Sequence, residues 1–167
     1  MSYTKTEWVN GVTPINETNL NNIENGIVNL QPEALTLNLP ANHTINSDST
    51  YENIEFSELC KIGSNLSYED GKIIIGAGIN KIFIEYGGKI VPKTTGQKYL
   101  SLFKNGDTTI GYIITNVYGV ASQRTAITQT RVMVDVVEGD YFELKVYGLS
   151  GDILDLNRLF ITVEKVC

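Results

Sequence analysis

Apolar positions along this chain obey two different periods. Between Thr13 and Leu30, Leu20, Ile23, Ile27 and Leu30 follow one another at spacings of three, four and three, the a/d seam of an amphipathic helix, while the intervening positions are almost wholly polar. Thr13 can cap such a helix and Pro14 presets φ at its first position, with Asn16 as an alternative cap a few residues later. Pro32 ends it at or before Gln31, which makes Gln31 to Glu33 a hinge. Beyond Leu35 the period becomes two, and helix signals vanish.

Leu35 to Leu39 and Tyr51 to Phe56 alternate cleanly, each bounded by Pro, Asn or Ser, as half-buried strands do. Asp70-Gly71 joins Leu66–Tyr68 to Lys72–Ile75, and Asn105-Gly106 joins Tyr99–Phe103 to Thr109–Ile113, because these dipeptides accept the positive φ of tight hairpin turns. Lys81 to Tyr86 is a further strand, with Gly76 and Gly78 at turn or bulge positions. Ala126 to Val137 is a long β-rich run that turns at Glu138-Gly139-Asp140. Tyr141 to Tyr147 returns with Phe142, Leu144 and Val146 on one face, and Leu159 to Val166 closes the chain. Roughly eight to ten strands and no further helix predict an antiparallel two-sheet sandwich of jelly-roll type. The expected organisation is a helical segment over 1–33 and a β-sandwich head over 34–167.

The helix is predicted not to stand alone. Asn19, Asn21, Asn22, Asn25 and Asn29 are poor helix formers, Gly26 costs roughly 1 kcal/mol relative to Ala, and so short a helix is marginal by itself. Its seam must pack on its own domain or on copies of itself. Leu at a with Ile at d, as in Leu20 and Ile23, favours three or four strands over two, so Leu20, Ile23, Ile27 and Leu30 are the expected trimerisation residues of a coiled coil.

The block Trp8-x-x-Gly11-x-Thr13-Pro14-Ile15-Asn16-x-x-Asn19-Leu20-Asn21-x-Ile23-Glu24-x-Gly26-Ile27 resembles the N-terminal segment found in many tail-fibre, baseplate and receptor-binding proteins of bacteriophages and prophages of Gram-positive bacteria. There it resembles an attachment and trimerisation segment ahead of a variable head. The resemblance implies a virion protein that contacts other virion structural proteins through Trp8, Pro14 and Ile15. A second resemblance lies in the order GKIIIGAGINKIFIEY, NGDTTIGYII and VVEGDYFELKVYG. It is similar to the complement and tumour-necrosis-factor type of jelly roll, in which a Gly-Asp turn leads into an alternating strand near the C-terminus. That fold commonly assembles as a trimer, so both resemblances imply a homotrimer.

Length and charge narrow the functional classes. With 167 residues the chain suits one compact domain plus a short extension. A net charge of −6 and the scattering of Lys89, Lys93, Lys98 and Lys104 among Gly, Thr and apolar residues offer no basic patch for nucleic acid. No apolar run reaches the ~18 residues of a membrane helix, and the first residues lack the order of a signal peptide, so synthesis in a host cytoplasm and residence in a virion are expected. Cys60 and Cys167 lack metal-like spacing; Cys60 is expected to pack as a small hydrophobe.

Candidate chemistry is sparse. His43 is the single histidine, in a polar Asn-His-Thr stretch read as plain surface, which excludes a histidine triad or a multi-histidine metal site. Gly76-Ala77-Gly78 lacks a third glycine and leads into a strand, so it reads as a turn rather than a cofactor loop, and no cofactor or metal is expected. Glu138 with Asp140, and Asp152 with Asp155, are carboxylate pairs of the kind that hydrolyse glycans or hold calcium, although acidic turn residues also arise for local hydrogen bonding. Binding fits better than catalysis. The loop from Asn116 to Arg124 carries Tyr118, Gln123 and Arg124, an aromatic face, an amide and a guanidinium that suit sugars, or it is an ordinary connection. Tyr147, Asp152, Asn157 and Arg158 form a second candidate group.

The chain is thus expected to be a phage fibre or receptor-binding protein that recognises a host cell-surface polysaccharide through a trimeric head. A capsid head fibre or baseplate decoration is the alternative, and a glycan-degrading enzyme a third.

Overall fold

The computed structural model describes residues 7, 12, 16–46, 48–107, 113–154 and 159–166. Trp8, Thr13, Pro14, Ile15, Thr109 and Cys167 lie outside the described residues. The elements in chain order are α1 (Glu17–Asn29), β1 (Ala34–Asn38), β2 (His43–Thr44), β3 (Tyr51–Asn53), β4 (Ser57–Ile62), β5 (Leu66–Glu69) and β6 (Lys72–Ile75). They continue with β7 (Lys81–Val91), β8 (Gly96–Lys104), β9 (Ile113–Gly119), β10 (Thr125–Asp135), β11 (Tyr141–Tyr147), β12 (Ile153–Leu154) and β13 (Phe160–Lys165).

Two antiparallel sheets face each other. In the first, β2-β12-β7-β13-β1-β4 run side by side and β10 borders the other edge of β7; the second runs β5-β6-β11-β8-β9, with β3 on β11. Period-two alternation builds the core between them. Leu35, Leu37, Ile82, Ile84, Ile161 and Val163 point inward from the first sheet, against Leu66, Ile73, Leu100, Leu102, Phe142 and Leu144 from the second. The Asp-Gly and Asn-Gly turns form as their chemistry predicts: Asp70 and Gly71 have φ of 49° and 76°, Asn105 and Gly106 of 54° and 69°.

Of the two caps the sequence offers, α1 uses Asn16, whose Oδ1 accepts from the Asn19 N–H at 2.9 Å. Three local expectations need correction. The expected hinge is anchored at its last residue: buried Glu33 accepts from the Asn65 backbone and side-chain amides, both at 2.9 Å, and its carbonyl accepts from Lys165 N at 2.8 Å. Gly63, at φ +80°, leaves room for that carboxylate against the β4–β5 turn. Cys60 is exposed, because it sits on β4, an edge strand exposed along its whole length. His43 lies on a short strand with Nε2 buried, 3.8 Å from the Glu52 carboxylate.

Among the described residues no strand packs along α1. Leu20, Ile27 and Leu30 are 47%, 54% and 71% exposed. Among the described residues nothing covers these three seam positions, while Ile23 is partly buried; the coiled coil predicted for the seam is not itself part of this structure.

The turn between β10 and β11 is tied to the end of β8 by one carboxylate. Asp140 accepts from Asn105 Nδ2 at 2.7 Å and Val137 N at 3.0 Å and pairs with Lys104 Nζ at 2.6 Å, while Asn105 Oδ1 accepts from Tyr141 N at 2.8 Å. Burial pushes the Asp140 carboxyl up, but the Asn105, Lys104 and Val137 hydrogen bonds outweigh it and hold the group below its ordinary value. A folded carboxyl that is more acidic than the unfolded one contributes stability fully above the ordinary carboxylate value and loses it as pH falls through the lower folded value. Melting temperature should accordingly fall on acidification below about pH 4. The Asp140→Asn variant should melt lower at neutral pH and show a shallower acid slope; identical slopes in the two proteins would exclude this role.

Candidate functional site

Side chains on the outer face of the second sheet are aromatic at one end. Because β8 alternates, Leu100 and Leu102 enter the core while Gln97, Tyr99, Ser101 and Phe103 face outward. Register places Tyr99 opposite Tyr147 on β11 and Asn116 on β9, Tyr147 opposite Tyr51 on β3, and Gln97 opposite Tyr118. The rings brace one another: Tyr99–Tyr147 and Tyr51–Phe103 meet edge to face with centroids 5.4 and 5.1 Å apart, and Tyr51–Tyr147 are tilted at 5.4 Å. Tyr99 donates to Gln97 Oε1 at 2.8 Å and Ser101 Oγ to the Tyr51 hydroxyl at 3.3 Å. Lys145 lies over the Phe103 ring and pairs with Glu143 at 3.5 Å, so these two charges neutralise each other.

Beside this band opens a cleft of 340 Å³, walled by Ser49, Thr95, Gln97, Tyr99, Tyr147 and Leu149. Its floor is an ion pair sealed from solvent. Lys98 Nζ lies 3.0 Å from Asp152 Oδ2, with side chains 2% and 0% exposed. Asp152 also accepts from Lys93 N at 2.6 Å and Leu149 N at 2.8 Å, and its backbone bonds to Ile45 and Leu149. One carboxylate thus pins the β7–β8 connection, the β11–β12 turn and the start of β8 to one another. Gly148 is required here by space: a Cβ would come within 2.6 Å of Ile45 Cδ1 and 2.8 Å of Asp152 Oδ2.

The described members of the two candidate groups read from the sequence lie at this end. Tyr118 is 65% exposed on β9, in register with Gln97 at the rim. Asn116 to Gly119 are strand, not loop. The turn that follows, with exposed Gln123 and Arg124, is held to the β7–β8 connection by Ala121 N to Thr95 Oγ1 at 3.1 Å and Ser122 N to Pro92 O at 2.8 Å. Tyr147 sits inside the band. Asp152 is buried with both oxygens engaged, so it organises the loops and touches no ligand. Asn157, Arg158 and Asp155 lie outside the described residues. The sequence did not mark Tyr51, Tyr99, Gln97 or Lys98 as site residues, although the parity of β8 put Gln97 and Tyr99 on one face. Among the described residues no group of three or more His, Cys, Asp or Glu is placed to hold a metal.

No protein-family model and no curated protein matches the sequence. Solved structures do match in shape. Murine APRIL at pH 5.0 superposes with a TM-score of 0.65 at 10% identity, over 81% of this chain and all of that one. Eiger TNF from S. frugiperda superposes with a TM-score of 0.62 at 8% identity, over 82% of this chain and 94% of that one. The sandwich is a tumour-necrosis-factor-type jelly roll. At such identities the likeness describes backbone architecture and carries no activity across.

Removing one partner of the buried pair strands a charge. Lys98→Met alone, or Asp152→Leu alone, should cost about 3–5 kcal/mol in denaturant unfolding, whereas the double replacement should recover much of that loss. Equal costs for single and double variants would show that the carboxylate acts through its backbone hydrogen bonds and not through the lysine.

Proposed function

We propose that this chain is a trimeric fibre or receptor-binding protein of a bacteriophage virion. Residues 1–33 attach it to other virion proteins and hold three copies together, and the sandwich recognises a host cell-surface polysaccharide. The observation that carries the reading is the seam of α1. Leu20 and Ile27 are about half exposed in a helix of poor intrinsic stability along which, among the described residues, no strand packs. Identical helices packed in parallel supply the missing cover, and Leu at a with Ile at d suits three of them. The phage assignment rests on the block from Trp8 to Ile27, and the jelly-roll head agrees with the second resemblance in the sequence. Recognition of polysaccharide is supported by the tyrosine band, which offers rigid aromatic surface and amide donors. Three copies of so shallow a site bind a repeating polymer by avidity.

Leu20→Asn with Ile27→Asn should shift the solution mass from trimer to monomer; an unchanged mass would place the assembly entirely in the head. In pull-down on walls of the host bacterium, the wild-type chain should be retained. A head that ignores the walls while residues 1–33 capture a virion protein would instead identify a decoration or assembly protein.

A further inference from the structure

We infer that the tyrosine band and its cleft take an uncharged oligosaccharide laid across the strands, an assignment that rests on the polysaccharide reading of the head. Charge neutrality is the first argument. Lys98 is matched by Asp152 and Lys145 by Glu143, while Ser49, Thr95, Gln97, Tyr99 and Tyr147 present only hydroxyl, amide and ring surface. Among the described residues that line the cleft the one cation is Lys98, already paired with Asp152, so an acidic sugar would lose water there without gaining a free cation, an unfavourable exchange. Donor supply is the second. Gln97 uses Oε1 to accept from Tyr99, which leaves its two amide N–H donors without a partner among the described residues, as sugar hydroxyls require.

Shape and rigidity complete the case. Tyr118, Gln97 and Tyr99, Tyr147 and Tyr51 stand on β9, β8, β11 and β3, adjacent strands that together span about 14 Å. That span accommodates more than one sugar ring. The rings brace each other in edge-to-face and tilted contacts and the loops around the cleft are pinned by Asp152, so little conformational freedom remains to be lost on binding.

The test is an array of bacterial surface glycans, carrying uncharged polysaccharides, acidic capsular polysaccharides and wall teichoic acid, probed with the full chain. Uncharged glycans should be retained, and Gln97→Ala or Tyr147→Ala should each weaken retention by about tenfold. Gln97 is exposed, so its replacement leaves the core intact, and far-ultraviolet circular dichroism verifies the Tyr147 variant. Preference for the acidic glycans overturns the inference. Equal retention of uncharged glycans by wild type and both variants also overturns it, moving the site elsewhere and leaving the polysaccharide reading in place. An array that retains nothing counts against both.

Discussion

The helix at the front of this chain is governed by a shortage of cover. Asparagines dominate its polar faces and Gly26 interrupts its middle, so propensity does not hold it together, and stability must come from burial of a narrow Leu/Ile seam. Among the described residues of the single chain Leu20, Ile27 and Leu30 keep about half or more of their surface exposed, and Ile23 is partly buried. Leu30 is the most exposed of the seam residues, and the path to the sandwich is short and fixed, because Glu33 is clamped between the β4–β5 turn and β13. Self-association of helices along that seam is the premise on which the proposed fibre reading depends.

Within the head, a buried carboxylate does for the loops what the core does for the strands. Asp152 satisfies two backbone amides and a lysine at once, and the glycine beside it is small because nothing larger fits. Neutralising Lys98 inside the fold has a second consequence: the cleft above it is left without net charge. The tyrosines on the neighbouring face then meet solvent as a braced aromatic surface, the feature on which the proposed sugar-binding reading rests.

What could be read from the sequence was local. Leu35, Leu37 and Leu39 announce an inward-facing strand by alternation alone, and Asn105-Gly106 announces its turn through two residues that tolerate positive φ. What could not be read was pairwise and distant. Lys98 looks like a surface lysine until Asp152 is brought to it by the β11–β12 turn. Asn116 to Gly119 look like loop until β8 supplies the partner strand. β4 has no alternation because it is an edge strand exposed throughout, so nothing in Ser57–Ile62 signalled a strand, and the small apolar side chain of Cys60 pointed to a core that it does not reach. The candidate groups followed the same division: Tyr118 and Tyr147 were legible as aromatic residues near turns, but their joining into one band depends on strand register.

The most direct test is hydrogen exchange of the α1 backbone amides as a function of protein concentration. If copies of the helix shield one another, amides from Leu20 to Asn29 should be protected in the assembled protein and exchange at near-unfolded rates once dilution separates the copies. Protection that persists unchanged in the separated chain would mean that the seam finds its cover within a single molecule, and self-association through α1 would be refuted.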